Sequence, residues 1–133
     1  MAHPFRRRRG SSMVEFALIW VAFLLMILGL IEGALAVWSY NTLAHSVRQG
    51  ARYASVHGSA NPVSSILIEN VVRNNAVGLD NSALTVGTTW SPNSDRGSVV
   101  EVLATYQHRT ALGRLIFPSG GFTLRNTSRM TVY

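Results

Sequence analysis

The sequence has 133 residues, of which 47% are hydrophobic and only 14% are charged. It contains no cysteine and no lysine, and its formal net charge of +6 comes from 12 arginines set against 6 acidic residues. This length allows one small domain with an appendage and excludes a large multidomain enzyme. The apolar content excludes a disordered chain, and the lack of cysteine excludes a disulfide framework, a cysteine zinc site and a thiol nucleophile.

Most of the apolar residues are concentrated near the N-terminus. Sixteen of them follow one another without a break over 16–31, and after Glu32 the run continues to Trp38. A helix over 16–38 would be roughly 34 Å long, enough to cross a hydrocarbon core of about 30 Å. The run is apolar on all sides, which argues against a soluble amphipathic helix. We therefore predict a single transmembrane helix over about 16–38.

The apolar run is preceded by four consecutive arginines, Arg6, Arg7, Arg8 and Arg9. By the positive-inside rule such a cluster stays in the cytoplasm, so we expect the rest of the chain to lie outside. The other 8 of the 12 arginines are spread singly among the acidic residues. A nucleic-acid partner is therefore not predicted, because no second basic face accompanies the cluster.

Two cleavage signals overlap this region, and the first resembles a signal peptidase site. Ala34, Leu35 and Ala36 provide small residues at the right spacing, so a secreted binding or structural domain released after Ala36 is the alternative interpretation. An ordinary signal sequence has an apolar region of about 7 to 15 residues, and the uninterrupted run here is longer.

The second cleavage signal lies before the apolar run. A basic leader ends at Gly10, and Glu15 stands five residues later, followed by Phe16. This arrangement resembles the cleavage region of type IV prepilins, which a membrane aspartyl prepilin peptidase cuts after the glycine on the cytoplasmic face. The resemblance implies that Gly10 is the last leader residue and that Ser11 is the new N-terminus.

The same resemblance gives Glu15 a role in assembly. In pilin-like assemblies the carboxylate at this position pairs with the free amine of a neighbouring subunit's first residue, here Ser11 or its counterpart in another pilin. Snorkelling to the membrane interface would also keep Glu15 hydrated. The joint occurrence of leader, glycine, glutamate and long apolar run favours the pilin-type interpretation.

Two segments indicate which family of type IV pilins the sequence resembles. Residues 13–18 read MVEFAL, and after the span comes a segment containing Arg48, Gly50, Ala51 and Arg52. Together they resemble the TadE/TadG-like minor pilins, or pseudopilins, of tight-adherence (Flp) type IV pilus systems.

The family implies where such a chain would work and with what. It implies a bacterial inner-membrane protein that is single-pass, with a cytoplasmic N-terminus and a periplasmic C-terminal domain, or an extracellular one within the pilus. Its partners would be prepilin peptidase, other pilins or pseudopilins, the inner-membrane assembly platform and the membrane. Its role would be priming of, incorporation into, or placement at the tip of the pilus.

The segment after the span predicts a helix that continues out of the membrane. Leu43, Val47, Ala51 and Ala54 recur at intervals of three and four, which places them on one face. Arg48 and Arg52 are one turn apart, and three interpretations stay open for them: binding of a carboxylate on a partner subunit, simple solvation, or pairing with Glu69 or Glu101. Within the span, Gly29 and Gly33 form a GxxxG motif that would allow close packing of another helix.

The remaining sequence predicts a small α+β domain of pilin-like layout. We expect a leader over 1–10, an N-terminal helix over 11–57 that Gly58 to Pro62 end, and a domain over 58–133. A second helix is predicted from Val63 to Asn75, with an apolar stripe of Ile66, Ile68, Val71 and Val72. Alternation with a period of two then predicts three antiparallel strands packed on the long helix, at 84–90, 98–106 and 122–133. An apolar insertion, Ala111 to Phe117, interrupts the connection between the last two strands.

No catalytic constellation is present in the sequence. The four histidines, His3, His45, His57 and His108, share no metal-ligand spacing. There is no Gly-x-Ser-x-Gly elbow, no glycine-rich phosphate loop and no carboxylate pair placed for acid–base chemistry. We therefore predict no enzyme activity, no metal site and no cofactor.

Overall fold

The computed structural model describes residues 9–58, 64–110 and 120–133. Parts of three regions named above lie outside these ranges: residues 1–8 of the leader with Arg6, Arg7 and Arg8, residues 59–63 with Pro62, and the apolar insertion from Ala111 to Phe117. Two helices, a short 3-10 helix and three strands make up the described elements. A long apolar N-terminal helix, a second helix and a three-stranded antiparallel sheet confirm the predicted α+β, pilin-like class.

The first helix, α1, runs over Arg9–His57 and comprises 49 residues. It contains no proline, and at 1.5 Å per residue it is about 73 Å long. Apolar side chains up to Val37 are exposed, whereas from Ser39 onward one face of α1 is buried. No linker separates the predicted span from the domain, because a single helix belongs to both.

The buried face of α1 is the predicted stripe. Leu43, Val47, Ala51 and Ala54 are all fully buried, since their spacing of four, four and three residues keeps them on one side of the helix. Gly50 lies beside this stripe, and a Cβ there would overlap the Cγ2 methyl group of Val72 on the second helix. The glycine therefore allows the two helices to pack closely.

The second helix, α2, runs over Ser65–Asn75, and Val63, its predicted first residue, lies outside the described residues. Ser64 is the N-cap, and its hydroxyl accepts a hydrogen bond from the backbone N–H of Ile66 at 3.3 Å. Of the predicted stripe, Ile68 and Val72 are buried, but Ile66 is 65% exposed. The reason is the helical period: residues four apart share a face, and residues two apart lie on nearly opposite faces.

Three strands follow as an antiparallel sheet in the order β1-β2-β3. Their bounds are β1 Leu84–Ser91, β2 Val99–Arg109 and β3 Gly121–Thr131. Alternate residues of the central strand point toward the helices, and Val100, Val102 and Ala104 are fully buried there. The domain is therefore a two-layer structure, with α1 and α2 on one face of the sheet.

The central strand is longer than the sequence predicts. The alternation is clear only to Tyr106, but β2 continues to Arg109, which pairs with Gly121 of β3. His108 therefore lies in a strand and not in a connection. At the other end, Val132 leaves the ladder, and its N–H donates to the carbonyl of Ser98 at 2.9 Å.

A tight connection joins α2 to β1. Gly78 has a φ of +79°, and a Cβ on it would overlap the Trp38 ring. Asp80 then caps a 3-10 helix, Asn81–Ala83, by accepting hydrogen bonds from the Ser82 N–H at 2.9 Å and the Ser82 hydroxyl at 2.7 Å. These two hydrogen bonds lower the pKa of Asp80. The turn fixes the end of α2 against Trp38.

Candidate membrane-anchor and assembly site

The predicted processing site lies at the N-terminal end of α1. Gly10 belongs to the first turn of the helix, and no atom lies within 4 Å of the position that a Cβ on it would take. The first four N–H groups of a helix have no partner within the helix, so this turn opens at little cost. A peptidase that binds an extended chain would have to open it, and among the described residues no side chain packs against Gly10 to oppose that.

Glu15 and Ser11 lie one turn apart on one face of α1. The Ser11 hydroxyl donates a hydrogen bond to Oε1 of Glu15 at 3.4 Å, and both side chains are exposed. Four residues correspond to about 6 Å along the axis. A parallel neighbour shifted by that amount would bring its Ser11 to the level of this Glu15.

Aromatic side chains follow Glu15 along the exposed helix. The rings of Phe16 and Trp20 meet edge to face at 6.2 Å, and those of Trp20 and Phe23 meet in the same way at 5.8 Å. Such pairs contribute about 0.5–1.5 kcal/mol each beyond their area of burial. Trp20 belongs to both pairs, and the sequence pattern did not single it out.

The N-terminal part of α1 is apolar, and the described domain does not pack on it. It is the one helix among the described residues that is long and apolar enough to span a membrane, and its most apolar window is entirely unburied. Surface of this kind needs lipid or other apolar helices around it.

Gly29 and Gly33 lie on this exposed segment. Neither has an atom within 4 Å of its would-be Cβ. They line a groove of about 650 Å³ together with Leu30, Ala34, Val37, Trp38 and Asn41. The GxxxG motif thus lies on an open face of α1, and its packing against another helix stays a prediction.

The predicted family motif divides between the core and the surface. Gly50 and Ala51 are buried, while Arg48 and Arg52 are exposed. The two small residues therefore serve the packing of α1 on α2 and the sheet. The two arginines project from the opposite side of the helix.

Neither carboxylate considered for the arginine pair is its partner. Glu69 accepts hydrogen bonds from Arg73 at 2.7 and 2.9 Å, and Glu101 accepts one from Arg129 at 2.9 Å. Within the described ranges, no ion pair engages Arg48 or Arg52. The structure therefore leaves these two cations available to a carboxylate from outside.

The three described histidines, His45, His57 and His108, have separate surroundings. His57 contacts the carbonyl of Tyr53 at 2.9 Å and stacks on its ring, His45 is exposed, and His108 is buried. His3 lies outside the described residues. No group of three His, Asp or Glu side chains placed to hold a metal occurs in the part of the chain that the structure describes.

Three consecutive residues of α1 connect the exposed helix to the domain, and the sequence analysis missed them. Trp38 packs on Gly78, the Ser39 hydroxyl lies 3.3 Å from Nδ1 of His108, and the Tyr40 hydroxyl accepts from Asn126 at 3.4 Å. The available signal was the pair of aromatic residues at the end of an apolar run, which is typical of a membrane interface. Nothing local marked Ser39.

Comparison with known proteins identifies the N-terminal region. Residues 10–52 match the family model of TadE-like protein. No curated protein and no solved structure gives a significant match to the chain. The match begins at the predicted last leader residue, covers both sides of Ala36 and ends at Arg52. The segment 10–52 is therefore similar to TadE-like protein.

Proposed function

We propose that this chain is a minor pilin or pseudopilin that takes part in the biogenesis of a tight-adherence pilus. Prepilin peptidase would cut it after Gly10, and the mature chain from Ser11 would stay in the inner membrane with its N-terminus inside and its domain in the periplasm. It would then prime the pilus, enter it or stand at its tip. One observation supports the proposal: the TadE-like segment begins at the predicted last leader residue and includes the exposed apolar helix and the first buried turns of the domain.

The exposed apolar helix supports two successive roles, as anchor and as packing surface. In the bilayer its side chains are covered by lipid, and in a filament they would be covered by the helices of other pilins. Exchange of lipid for helix surface brings no net hydrophobic gain, so specificity must come from close packing and from polar pairs. Gly29 and Gly33 offer the close packing, and Glu15 offers the polar pair.

Glu15 would make assembly depend on prior cleavage. Before cleavage, the nitrogen of Ser11 is an uncharged amide within α1. After cleavage it becomes an amine, which is largely protonated at neutral pH. An unpaired carboxylate within an apolar bundle costs several kcal/mol. Only a processed neighbour would offset that cost, so unprocessed chains would be excluded from the filament.

The family match also favours this proposal over a secreted domain. Cleavage after Ala36 would discard residues 10–36, which form most of the TadE-like segment. The proposed role is structural, and the chain would be a substrate of prepilin peptidase and a partner of other pilins and of the assembly platform.

The decisive experiment is the N-terminal sequence and intact mass of the full chain, expressed with and without its cognate prepilin peptidase. We expect a peptidase-dependent start at Ser11, which Gly10→Asp abolishes. A catalytically inactive peptidase is the matched control. A start at Val37 would instead establish a secreted domain, and an uncut chain in the presence of active peptidase would overturn the processing step.

A further inference from the structure

The geometry points to a lipid-contacting edge on the globular domain, formed by Val77 in the turn after α2 and Phe122 at the start of β3. We infer that these side chains sit in the headgroup layer of the membrane that α1 spans. The inference rests on the proposed membrane span, and it adds a second point of contact with the bilayer besides the helix itself.

The first step is the height of the domain relative to the span. The predicted span ends at Trp38, and α1 continues through that residue without a break. The domain is fastened to α1 at this same level by the Gly78 contact with Trp38 and by the Ser39 contact with His108. The edge of the domain that is nearest the membrane therefore lies directly at the end of the hydrocarbon core.

The second step is the chemistry of that edge. Val77 is 71% exposed, and it lines a groove of about 560 Å³ with Trp38 and Asn41. Phe122 is 39% exposed, and its ring lies 5.2 Å from that of His108, which contacts Ser39. Apolar side chains thus border α1 on two sides, one next to α2 and one at the sheet.

The third step concerns which partner this edge would suit. Trp38 and Tyr40 are exposed aromatic residues at the end of the apolar run, as in the aromatic belts of membrane proteins. The described charges at this end are mixed, because Asp80 and Arg109 are both exposed and follow Gly78 and His108 closely in the chain. The contact would therefore be mainly apolar and only weakly sensitive to salt.

A depth measurement on the full chain in lipid vesicles tests the inference. The chain has no native cysteine, so single cysteines at Val77, Phe122, Val56 and Leu25 can each carry an environment-sensitive fluorophore. Val56 is the matched control, since it is a valine with 61% exposure that lies about 27 Å further along α1 than Trp38. Leu25 reports whether the span itself is in lipid. Thr123→Cys replaces Phe122→Cys if loss of that ring unfolds the domain.

The vesicles contain mainly phosphatidylethanolamine with a minority of phosphatidylglycerol, and nitroxide lipids serve as quenchers. Amphipathic elements lie about 5–10 Å into the boundary layer, so we expect probes at Val77 and Phe122 to lose more than about half of their emission. The probe at Val56 should lose less than about one-tenth, by the same depth argument.

Two results would overturn the inference, and they are distinguishable. Quenching at Leu25 without quenching at Val77 and Phe122 would show that the edge faces water or a protein partner while the span stands. Absence of quenching at Leu25 would remove the span, and the proposed function with it.

Discussion

Nδ1 of His108 lies 3.3 Å from the hydroxyl of Ser39, and this contact joins the end of β2 to α1 just beyond the predicted span. Both residues are buried. The other ring nitrogen of His108, Nε2, is also buried and has no hydrogen-bond partner among the described residues. Ser39 is therefore the one described hydrogen-bonding partner of this ring.

Replacement of Ser39 by alanine should destabilise the domain, because it leaves Nδ1 of His108 buried without a partner. An unsatisfied buried polar group costs about 1–3 kcal/mol. Ser46→Ala is the matched control, since Ser46 is also buried on α1 but bonds only the carbonyl of Leu43 in its own helix. Urea unfolding in detergent measures both variants. Equal losses of unfolding free energy in Ser39→Ala and Ser46→Ala would show that the contact between Ser39 and His108 makes no specific contribution to stability.

Gly50→Ala should destabilise the domain although alanine is the better helix former. Glycine costs a helix about 1 kcal/mol relative to alanine, but the added Cβ would overlap the Cγ2 methyl group of Val72. Overpacking of this kind costs about 1–3 kcal/mol.

A double-mutant cycle with Val72→Ala separates these contributions to the free energy of unfolding. The second substitution removes the overlapping methyl groups, so we expect the double variant to be more stable than the sum of the single losses predicts. Strict additivity would mean that the helices separate freely and that close packing at Gly50 is not required.

Removal of Arg48 and Arg52 should impair assembly and leave the fold intact. Both are exposed and make no ion pair with a described residue, so Arg48→Ala with Arg52→Ala should change stability by less than about 0.5 kcal/mol. Arg73→Ala is the contrasting variant. Arg73 bonds Glu69 and the carbonyl of Leu84, and its loss should cost about 1–3 kcal/mol.

Thermal unfolding and pilus counts on cells would be read together for these variants. Fewer pili with unchanged unfolding would identify the arginine pair as an intersubunit contact. Normal pilus numbers in the double variant would assign both arginines to solvation alone.

The contribution of Asp80 to the stability of the domain should depend on pH, and the hydrogen bonds from Ser82 should set the pH range. The hydrogen bonds from the Ser82 hydroxyl and N–H lower the pKa of Asp80 in the folded state. A carboxyl whose folded pKa is depressed contributes stability above its unfolded pKa, and that contribution is lost as the pH falls through the folded pKa. Ser82→Ala should raise the pKa of Asp80 toward its ordinary value, while Ser82→Thr keeps the hydroxyl and the low pKa. An NMR titration of the Asp80 carboxyl would show no difference between these variants if the hydroxyl is unimportant.

The sequence predicts the elements of this fold better than their contacts, and particular residues show why. A buried helix face can be predicted from the spacing of Leu43, Val47 and Ala51 alone. The apolar residues of an amphipathic helix recur with the helical period, and this period is visible in the local sequence. The contact between Ser39 and His108 joins residues 69 positions apart, and no local pattern records that. The end of β2 at Arg109 is likewise set by the partner strand and not by the alternation within β2.

The candidate site follows the same division. Glu15, Gly29 and Gly33 can be identified from the sequence, because they differ from the large apolar residues around them. Their role in assembly stays a prediction. For Arg48 and Arg52 the sequence left pairing within the domain open, and the observed partners of Glu69 and Glu101 are other arginines. The sequence alone does not determine these ion pairs, because several arginines could pair with each carboxylate.

Glu15 should be required after processing and not for it. In Glu15→Ala the cleavage region around Gly10 is intact, so we expect the mature chain to begin at Ser11 as in the parent. Assembly should fail, because loss of one partner of a buried ion pair costs about 3–5 kcal/mol, more than about a hundredfold in an association constant. Glu101→Gln is the matched control, since it removes a carboxylate that pairs with Arg129 at the surface of the domain. Mass spectrometry of the N-terminus and pulldown of co-expressed pilins measure the two steps separately. Normal association of Glu15→Ala with other pilins would leave this carboxylate with a snorkelling role only and would remove the amine pair from the assembly mechanism.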